Sequence, residues 1–122
     1  MEIKYSKEMQ FALQEAKNLA VQYQSPSVGV EHITIGILKY DPVSEIKRYF
    51  QLYKIDINNL TGRLKDMLAE IENKIDVSVD DMKVNIQADN TLRLSYLLSK
   101  EFRSDEVEAQ HFILAEIGRA HV

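Results

Sequence analysis

Two stretches of this chain decide its fold, because each is a version of the other. Residues 25–38 have the sequence SPSVGVEHITIGIL, and residues 104–117 have the sequence SDEVEAQHFILAEI. With Glu31-His32 placed over Gln110-His111, the two parts of the chain align without gaps. The identical pairs are Leu13 with Leu92, Leu19 with Leu98, Ser25 with Ser104, Val28 with Val107, and His32 with His111. The alignment predicts two copies of one structural unit.

The residues before each stretch have the spacing of an amphipathic helix. Apolar side chains recur at i, i+3, i+4 and i+7 over residues 6–23 and again over residues 92–102, which is the period of one helical face. Ser6 is a suitable N-cap for the first helix, and Pro26 is expected to end it. Each unit is therefore a long helix, a turn and a shorter apolar helix. Such a unit cannot bury its own stripe, so two should pack together about a pseudo-twofold axis.

Between the two units the pattern predicts two more helices. Asp41-Pro42 resembles an N-cap followed by proline at the first helical position, with apolar residues at helical spacing as far as Tyr53. Asp56 is the expected cap of the next helix, whose apolar side runs from Ile57 to Ile71. Within the first of these helices we expect Phe50 to pack in the core, whereas Tyr49 or Tyr53 would line a groove for a partner peptide.

The segment 73–85 has a different pattern from the rest of the chain. Apolar and polar residues alternate on both sides of Asp80-Asp81, which leaves a small hairpin open. A simple connector is the preferred interpretation, because an isolated two-stranded hairpin is marginal in water. The predicted fold is therefore all-α, a compact orthogonal bundle of two pseudo-symmetric helical repeats in one domain. Repeat one covers 6–72, the linker 73–85, and a shortened repeat two 86–122.

Composition and charge exclude several classes of function. A chain of 122 residues with 45% apolar and 28% charged residues fits one globular domain. Cysteine is absent, so no disulfide framework or thiolate site is expected. The net charge of −4 argues against nucleic-acid binding. No apolar run approaches the roughly 20 residues that span a bilayer, and the N-terminus lacks the apolar region of a signal peptide. We expect a cytoplasmic protein without membrane contact.

The negative charge is concentrated in the second half of the chain. Residues 1–61 hold seven Lys/Arg and seven Asp/Glu, whereas residues 62–122 hold eight and twelve. All four excess negative charges therefore lie in the second half. The simple interpretation is a solvated acidic surface, and the alternative is a surface that receives a basic partner segment.

Residues able to carry out chemistry are few. The three histidines, His32, His111 and His121, have no i, i+4 spacing that would form a metal site on a helix. The chain also lacks a G-x-x-x-x-G-K-[S/T] phosphate loop and a G-x-S-x-G nucleophile motif. We therefore predict no catalytic, metal-binding or cofactor-binding residue, and no enzyme activity in this chain. His32 and His111 are expected to be half-buried packing residues that hydrogen-bond a neighbouring turn.

The repeat resembles the N-terminal domain of the Clp/Hsp100 chaperone ATPases. In that family a long helix ends in A-x-x-L-A, as Ala16-Lys17-Asn18-Leu19-Ala20 does here. A turn and the motif G-T-E-H-L-L-x-x-L-L follow, corresponding to Gly29-Val30-Glu31-His32-Ile33-Thr34-Ile35-Gly36-Ile37-Leu38. The next family motif, L-x-x-L-G-V-D-x-x-x-L, is similar to residues 50–60. The first repeat matches over residues 6–68, and the second stops after its second helix.

The resemblance implies a helical domain that binds protein substrates and adaptors. In the family this domain is tethered to AAA+ modules of the same polypeptide, which assemble into a hexameric unfoldase ring when the protein is full length. It delivers proteins to the ring of an ATP-dependent protease or chaperone. Two alternatives remain open. One is the N-domain of a type VI secretion ATPase, which binds a helix of the secretion sheath, and the other is a stand-alone helical adaptor.

The resemblance also implies a candidate binding site for phosphoarginine. In some relatives the Glu of each E-H motif helps to hold a phosphorylated arginine on substrates. A carboxylate suits the guanidinium, and helix N-terminal N–H groups suit the phosphate. The residues at the matching positions of this chain are Ser6, Glu31, His32, Asn85, Gln110 and His111. Gln110 replaces the second Glu, so we expect one-sided recognition at best. The simpler interpretation of Glu31 is a favourable interaction with the helix dipole.

Overall fold

The computed structural model describes residues 2–40 and 44–120, and six α-helices contain most of them. The helices are α1 (Lys7–Gln22), α2 (Val30–Lys39), α3 (Glu45–Leu52), α4 (Ile57–Ala69), α5 (Ile86–Glu101) and α6 (Ala109–Ala120). A 3-10 turn at Val79–Asp81 lies in the connector between α4 and α5. No strand occurs in these two described ranges, and the predicted all-α fold is confirmed.

Side-chain caps set where the helices begin. Ser6 Oγ accepts a hydrogen bond from the Met9 N–H at 3.2 Å, and Asn85 Oδ1 accepts one from the Ala88 N–H at 2.7 Å. Asp56 caps α4 as predicted. The predicted start of α3 is wrong: this helix begins at Glu45, and its cap is Ser44. Asp41-Pro42 and His121 lie outside the described residues.

The two long helices end in the same way. Gln24 and Arg103 both have φ of 55°, the left-handed conformation that terminates many helices. The following N–H groups bond back into the helix, from Ser25 to Ala20 O and from Ser104 to Ser99 O, both at 2.8 Å. The left-handed residue, and not a proline, is therefore the feature that the two helix endings share.

The core lies between the two helix pairs. Helix α1 packs on α2 and α5 packs on α6, and fully buried side chains from both pairs meet at Met9, Ile33, Ile37 and Phe112. Phe50 joins this core with 8% exposure, as predicted. Helices α1 and α2 are in close contact at Gly36, where an added Cβ would stand 2.5 Å from the carbonyl oxygen of Ala12.

The connector contains no hairpin. Residues 73–85 form an extended segment around the 3-10 turn, and their ladder contact is one isolated bridge from Val84 to Val28. This outcome agrees with the preferred interpretation of the segment as a connector. A two-stranded pair would have had no sheet to join. Within residues 2–40 and 44–120, no helix combines the length and the apolar character that crossing a bilayer requires.

Candidate functional site

Two isolated β-bridges join the repeats in a crossed, reciprocal way. Tyr5, just before α1, pairs with Val107, just before α6, and Val84, just before α5, pairs with Val28, just before α2. The next residues continue the pairing: Ser6 N–H donates to Val107 O at 2.9 Å, and Asn85 N–H donates to Val28 O at 2.8 Å. Helix N-termini therefore lie side by side as α1 with α6 and α2 with α5.

This crossing distributes the site residues predicted from the sequence over two clefts and one further hollow. We name the hollow at the α2 and α5 N-termini cleft one, and it brings together Glu31, His32 and Asn85. The hollow at the α1 and α6 N-termini is cleft two, and it contains Ser6 and Gln110. His111 lies on the other side of Gln110, in a separate hollow. Each cleft therefore combines residues of both repeats.

Cleft one has a volume of about 230 Å³ and depends on the missing side chain of Gly29. A Cβ at that position would stand 2.6 Å from Oε2 of Glu31 and 3.2 Å from Nδ2 of Asn85. The backbone of Gly29 is extended, with φ of −103°, a conformation open to any residue, and a larger side chain here would displace the ends of the Glu31 and Asn85 side chains. The carboxylate of Glu31 is thus placed over the α2 N-terminus and beside the α5 cap.

His32 is a fixed, neutral support beneath cleft one. Its Nδ1 accepts a hydrogen bond from the Gly29 N–H at 2.9 Å, so the ring proton is on Nε2, which donates to Ser25 Oγ at 2.9 Å. Burial lowers the pKa of His32 below 6.5, against the opposing effect of Glu31. The predicted bonds to a neighbouring turn are confirmed, although the side chain is 3% exposed and thus buried more deeply than expected.

Cleft two has a different acidic group from the one that the sequence motif suggests. Glu108 stands where repeat one has Gly29, and its Oε2 accepts a hydrogen bond from Gln110 Nε2 at 2.9 Å. The Glu108 N–H donates to Nδ1 of His111, also at 2.9 Å, which repeats the Gly29–His32 bond. Burial lowers the pKa of His111 as well. A carboxylate is therefore present beside Gln110, two residues before the position at which the motif places it.

Cleft two also contains a buried carboxylate that the sequence did not reveal as a site residue. Glu8 is 9% exposed, and its Oε2 has no hydrogen-bond partner among the described residues. Burial raises its pKa above 4.5, and Ser44 and Lys47 oppose this shift. Glu8 also lies in the first turn of α1, where the helix dipole favours a carboxylate. Only the approach of α6 and α3 shows that Glu8 lines a cleft, together with Glu45, Glu106 and Glu108.

Among the described residues, no group of three or more His, Cys, Asp or Glu side chains is arranged so that it could hold a metal ion. What the fold provides is a pair of clefts, each made by adjoining helix N-termini and carboxylates, on a bundle of two crossed helical repeats. The described residues therefore define an all-helical domain built from two crossed helical units.

The family comparison agrees with this class. The Clp repeat N-terminal domain matches residues 4–121, and the chain belongs to this family. The family is the N-terminal, regulatory and non-catalytic domain of the Clp/Hsp100 ATPases. The family predicted from the sequence is thereby confirmed. Among proteins of curated function, no match to this chain is found.

Proposed function

We propose that this domain binds protein substrates and adaptors of a Clp-type ATPase and delivers them to the unfoldase ring. The observation that supports this function is the construction of cleft one. Two helix N-termini meet there, and the carboxylate of Glu31 lies above the space left by Gly29. A ligand with both a cationic and an anionic group matches this arrangement, because the carboxylate pairs with a guanidinium and the helix N-termini attract a phosphate. Phosphoarginine is such a ligand.

Within this proposal the two clefts differ in their expected affinity for phosphoarginine. Cleft one offers an open carboxylate, whereas in cleft two the side chain of Glu108 is bonded to Gln110. A ligand cation in cleft two must compete with that bond. Lys7 and Arg48 line cleft two together with Glu8, Glu45 and Glu106, so a phosphate meets charges of both signs there. Cleft one is therefore the stronger phosphoarginine site, and Glu31 carries most of the affinity.

Calorimetric titration of phosphoarginine into the chain tests the proposal. Removing one partner of a buried charged pair costs on the order of 2–5 kcal/mol, and we expect the low end for Glu31→Ala because Glu31 is half-buried. Gln110→Ala should change the affinity much less, and Glu101→Ala, an exposed carboxylate on α5, serves as the matched control. Absence of binding by the unmodified chain would remove the phosphoarginine role. Equal losses for Glu31→Ala and Gln110→Ala would show that the clefts are equivalent.

A pull-down with the domain as bait tests the broader role in protein docking. The expected result is enrichment of substrates or adaptors that is lost with Glu31→Ala and retained with Glu101→Ala. Enrichment that both variants retain would place the docking surface outside cleft one.

A further inference from the structure

The most deeply buried charged group of cleft two lacks a partner that would offset its burial. Glu8 is buried, and its enclosed Oε2 atom accepts no hydrogen bond from the described residues. Among those residues, no lysine or arginine nitrogen lies within 4.0 Å of this carboxylate. A buried carboxylate oxygen without a donor destabilises the folded state, so a positively charged donor is the group that this position lacks.

A second carboxylate lies close enough to Glu8 to act on it. Burial and the negative charge of Glu108 both raise the pKa of Glu8, and the Ser44 hydroxyl and the Lys47 ammonium oppose them. Oε2 of Glu108 already accepts the bond from Gln110, whereas Oε2 of Glu8 accepts none. Neighbouring carboxylates repel each other, and a cation that enters cleft two is attracted by both.

The charges that line cleft two differ in their exposure to solvent. Glu8 is buried, and Glu106 and Glu108 are half-buried, whereas the two cations that line the cleft, Lys7 and Arg48, are exposed. Solvent and salt screen exposed charges strongly and buried charges much less. The potential inside the cleft is therefore negative, although its lining carries charges of both signs.

The buried carboxylate distinguishes cleft two from cleft one. The position equivalent to Glu8 in repeat two, 79 residues later, holds Gln87, which is neutral and exposed. Cleft one therefore has no carboxylate at this position of its α5 N-terminus. A phosphate placed next to Glu8 would be repelled, whereas an unmodified guanidinium would be attracted.

We propose that cleft two binds the guanidinium of an unmodified arginine in a bound protein, with Glu8 as the main carboxylate. A guanidinium presents five N–H donors in one plane, so it can reach Glu8 and Glu108 at once. The last torsion of a glutamate side chain turns easily, which brings the enclosed oxygen of Glu8 towards the cleft of about 460 Å³. This inference rests on the proposed role in protein docking, but not on phosphoarginine recognition in cleft one.

Two peptides that differ only in a phosphate test this selectivity. The probe is a pentapeptide with a central arginine between glycines, acetylated and amidated at its ends, and the second peptide carries phosphoarginine at the same place. Each is titrated into the whole, isotope-labelled chain and followed by NMR chemical shifts. We expect the arginine peptide to give saturable shifts around cleft two and the phosphoarginine peptide to give them around cleft one. A peptide with neutral citrulline in place of arginine should leave cleft two unchanged.

Matched variants assign the binding to the buried carboxylate. Glu8→Gln should weaken binding of the arginine peptide by about fivefold or more, because it removes the charge and keeps the shape. Glu108→Gln should weaken it less, because Glu108 is already bonded to Gln110. Glu101→Gln, at an exposed carboxylate of α5, should leave it unchanged. Circular dichroism establishes that each variant is folded, and Glu108→Gln keeps the test decisive if Glu8→Gln unfolds.

Three results would overturn the inference. The first is absence of saturable shifts around cleft two, or arginine-peptide binding that Glu8→Gln and Glu108→Gln both retain. The second is equal binding of the citrulline peptide, because the cleft would then not recognise charge. The third is preference of cleft two for the phosphoarginine peptide, which would identify an anion site at Lys7 and Arg48. Any of these results with phosphoarginine binding retained in cleft one would leave the proposed function in place, so the two failures are distinguishable.

Discussion

Repeat one and repeat two share a hydrogen-bonding framework but differ in how closely their helices pack. Both have the left-handed residue after the long helix and the bond from the N-cap N–H to the histidine Nδ1. In repeat one, however, Gly36 brings α2 against the main chain of Ala12. The equivalent positions in repeat two hold Ala115 and Thr91, a larger pair. The framework therefore tolerates different helix spacing, because it is formed by the turns and not by the helix faces.

The two clefts show that the same hydrogen-bonding framework can carry different charges. The bonds to His32 and His111 hold each N-cap residue in the same place, so the side chain at that position decides the charge distribution. Gly29 leaves room for the carboxylate of Glu31, whereas Glu108 supplies a carboxylate of its own to Gln110. The two N-cap positions therefore share one backbone hydrogen bond but present different charges.

The largest expected effect tests the packing difference. Gly36→Ala places a Cβ 2.5 Å from the Ala12 carbonyl oxygen, and we expect it to lower the free energy of unfolding by about 2–3 kcal/mol, because backbone atoms cannot rotate aside. Gly62→Ala is the matched control. Nothing lies within 4 Å of a Cβ there, so the better helix propensity of alanine should stabilise the chain by up to about 1 kcal/mol. Denaturant unfolding followed by circular dichroism measures both, and a neutral Gly36→Ala would show that α1 and α2 can separate freely.

The helices and their caps were predictable because their causes are local. The apolar stripe and Ser6 specified α1, and Asp56 specified the start of α4. The start of α3 was wrong because Ser44, two residues after Pro42, offered an equally good cap that the proline signal obscured. The ending of α1 was attributed to Pro26, although the left-handed Gln24 is the feature that both repeats share.

The crossing of the repeats had no local signal. Tyr5 and Val84 are single extended residues, and nothing in the sequence shows that each pairs with the other repeat. Ser6 and Glu31 belong to the same repeat, and yet Ser6 lies in cleft two with Gln110. The sequence could have identified Glu108 as a cleft residue, because the alignment places it opposite Gly29. It could not identify Glu8, because only the packing of α6 and α3 places Glu8 in a cleft. The repeat boundaries at 6–72 and 86–122 stay a prediction. The groove at Tyr49 and Tyr53 also stays a prediction; both rings are exposed, with 4.7 Å between centroids and a tilt of 44°.

A smaller effect sharpens the comparison of the two turns. Ser25 is 1% exposed and accepts the Nε2 proton of His32, whereas Ser104 Oγ donates to the Glu106 carbonyl at the surface. Ser25→Ala leaves a buried N–H without a partner, which costs about 1–3 kcal/mol, whereas Ser104→Ala should cost about 0.5–1 kcal/mol. Parallel thermal unfolding of the two variants measures the difference. Equal losses would mean that the histidine bond contributes nothing beyond the turn itself.

The smallest effect concerns the two histidines, the residues that the repeats keep most alike. In the unfolded chain both titrate near 6.5, and burial lowers the pKa of each in the folded state. At pH values between the folded and the unfolded pKa, the unfolded chain binds more protons than the folded chain. The free energy of unfolding therefore falls as pH falls below about 6.5. His32→Gln and His111→Gln should each reduce this slope, by at most about 1.4 kcal/mol per pH unit.

Denaturant titrations between pH 5 and 8, followed by circular dichroism because the chain has no tryptophan, measure the slope.

Glu8 and Glu116 should change the free energy of unfolding with pH in the opposite direction. Burial raises the pKa of both, so the folded chain holds their protons longer, and they lower stability as pH rises through their folded pKa. Glu8→Gln should therefore raise the free energy of unfolding at neutral pH relative to its value at pH 5. The fall of that free energy below about pH 6.5, which the histidines cause, should stay unchanged. Since His32 and His111 are both 3% exposed, their two variants should change the slope equally. A slope that responds to His32→Gln alone would show that the shared bond to Nδ1 does not give the two repeats a shared electrostatic environment.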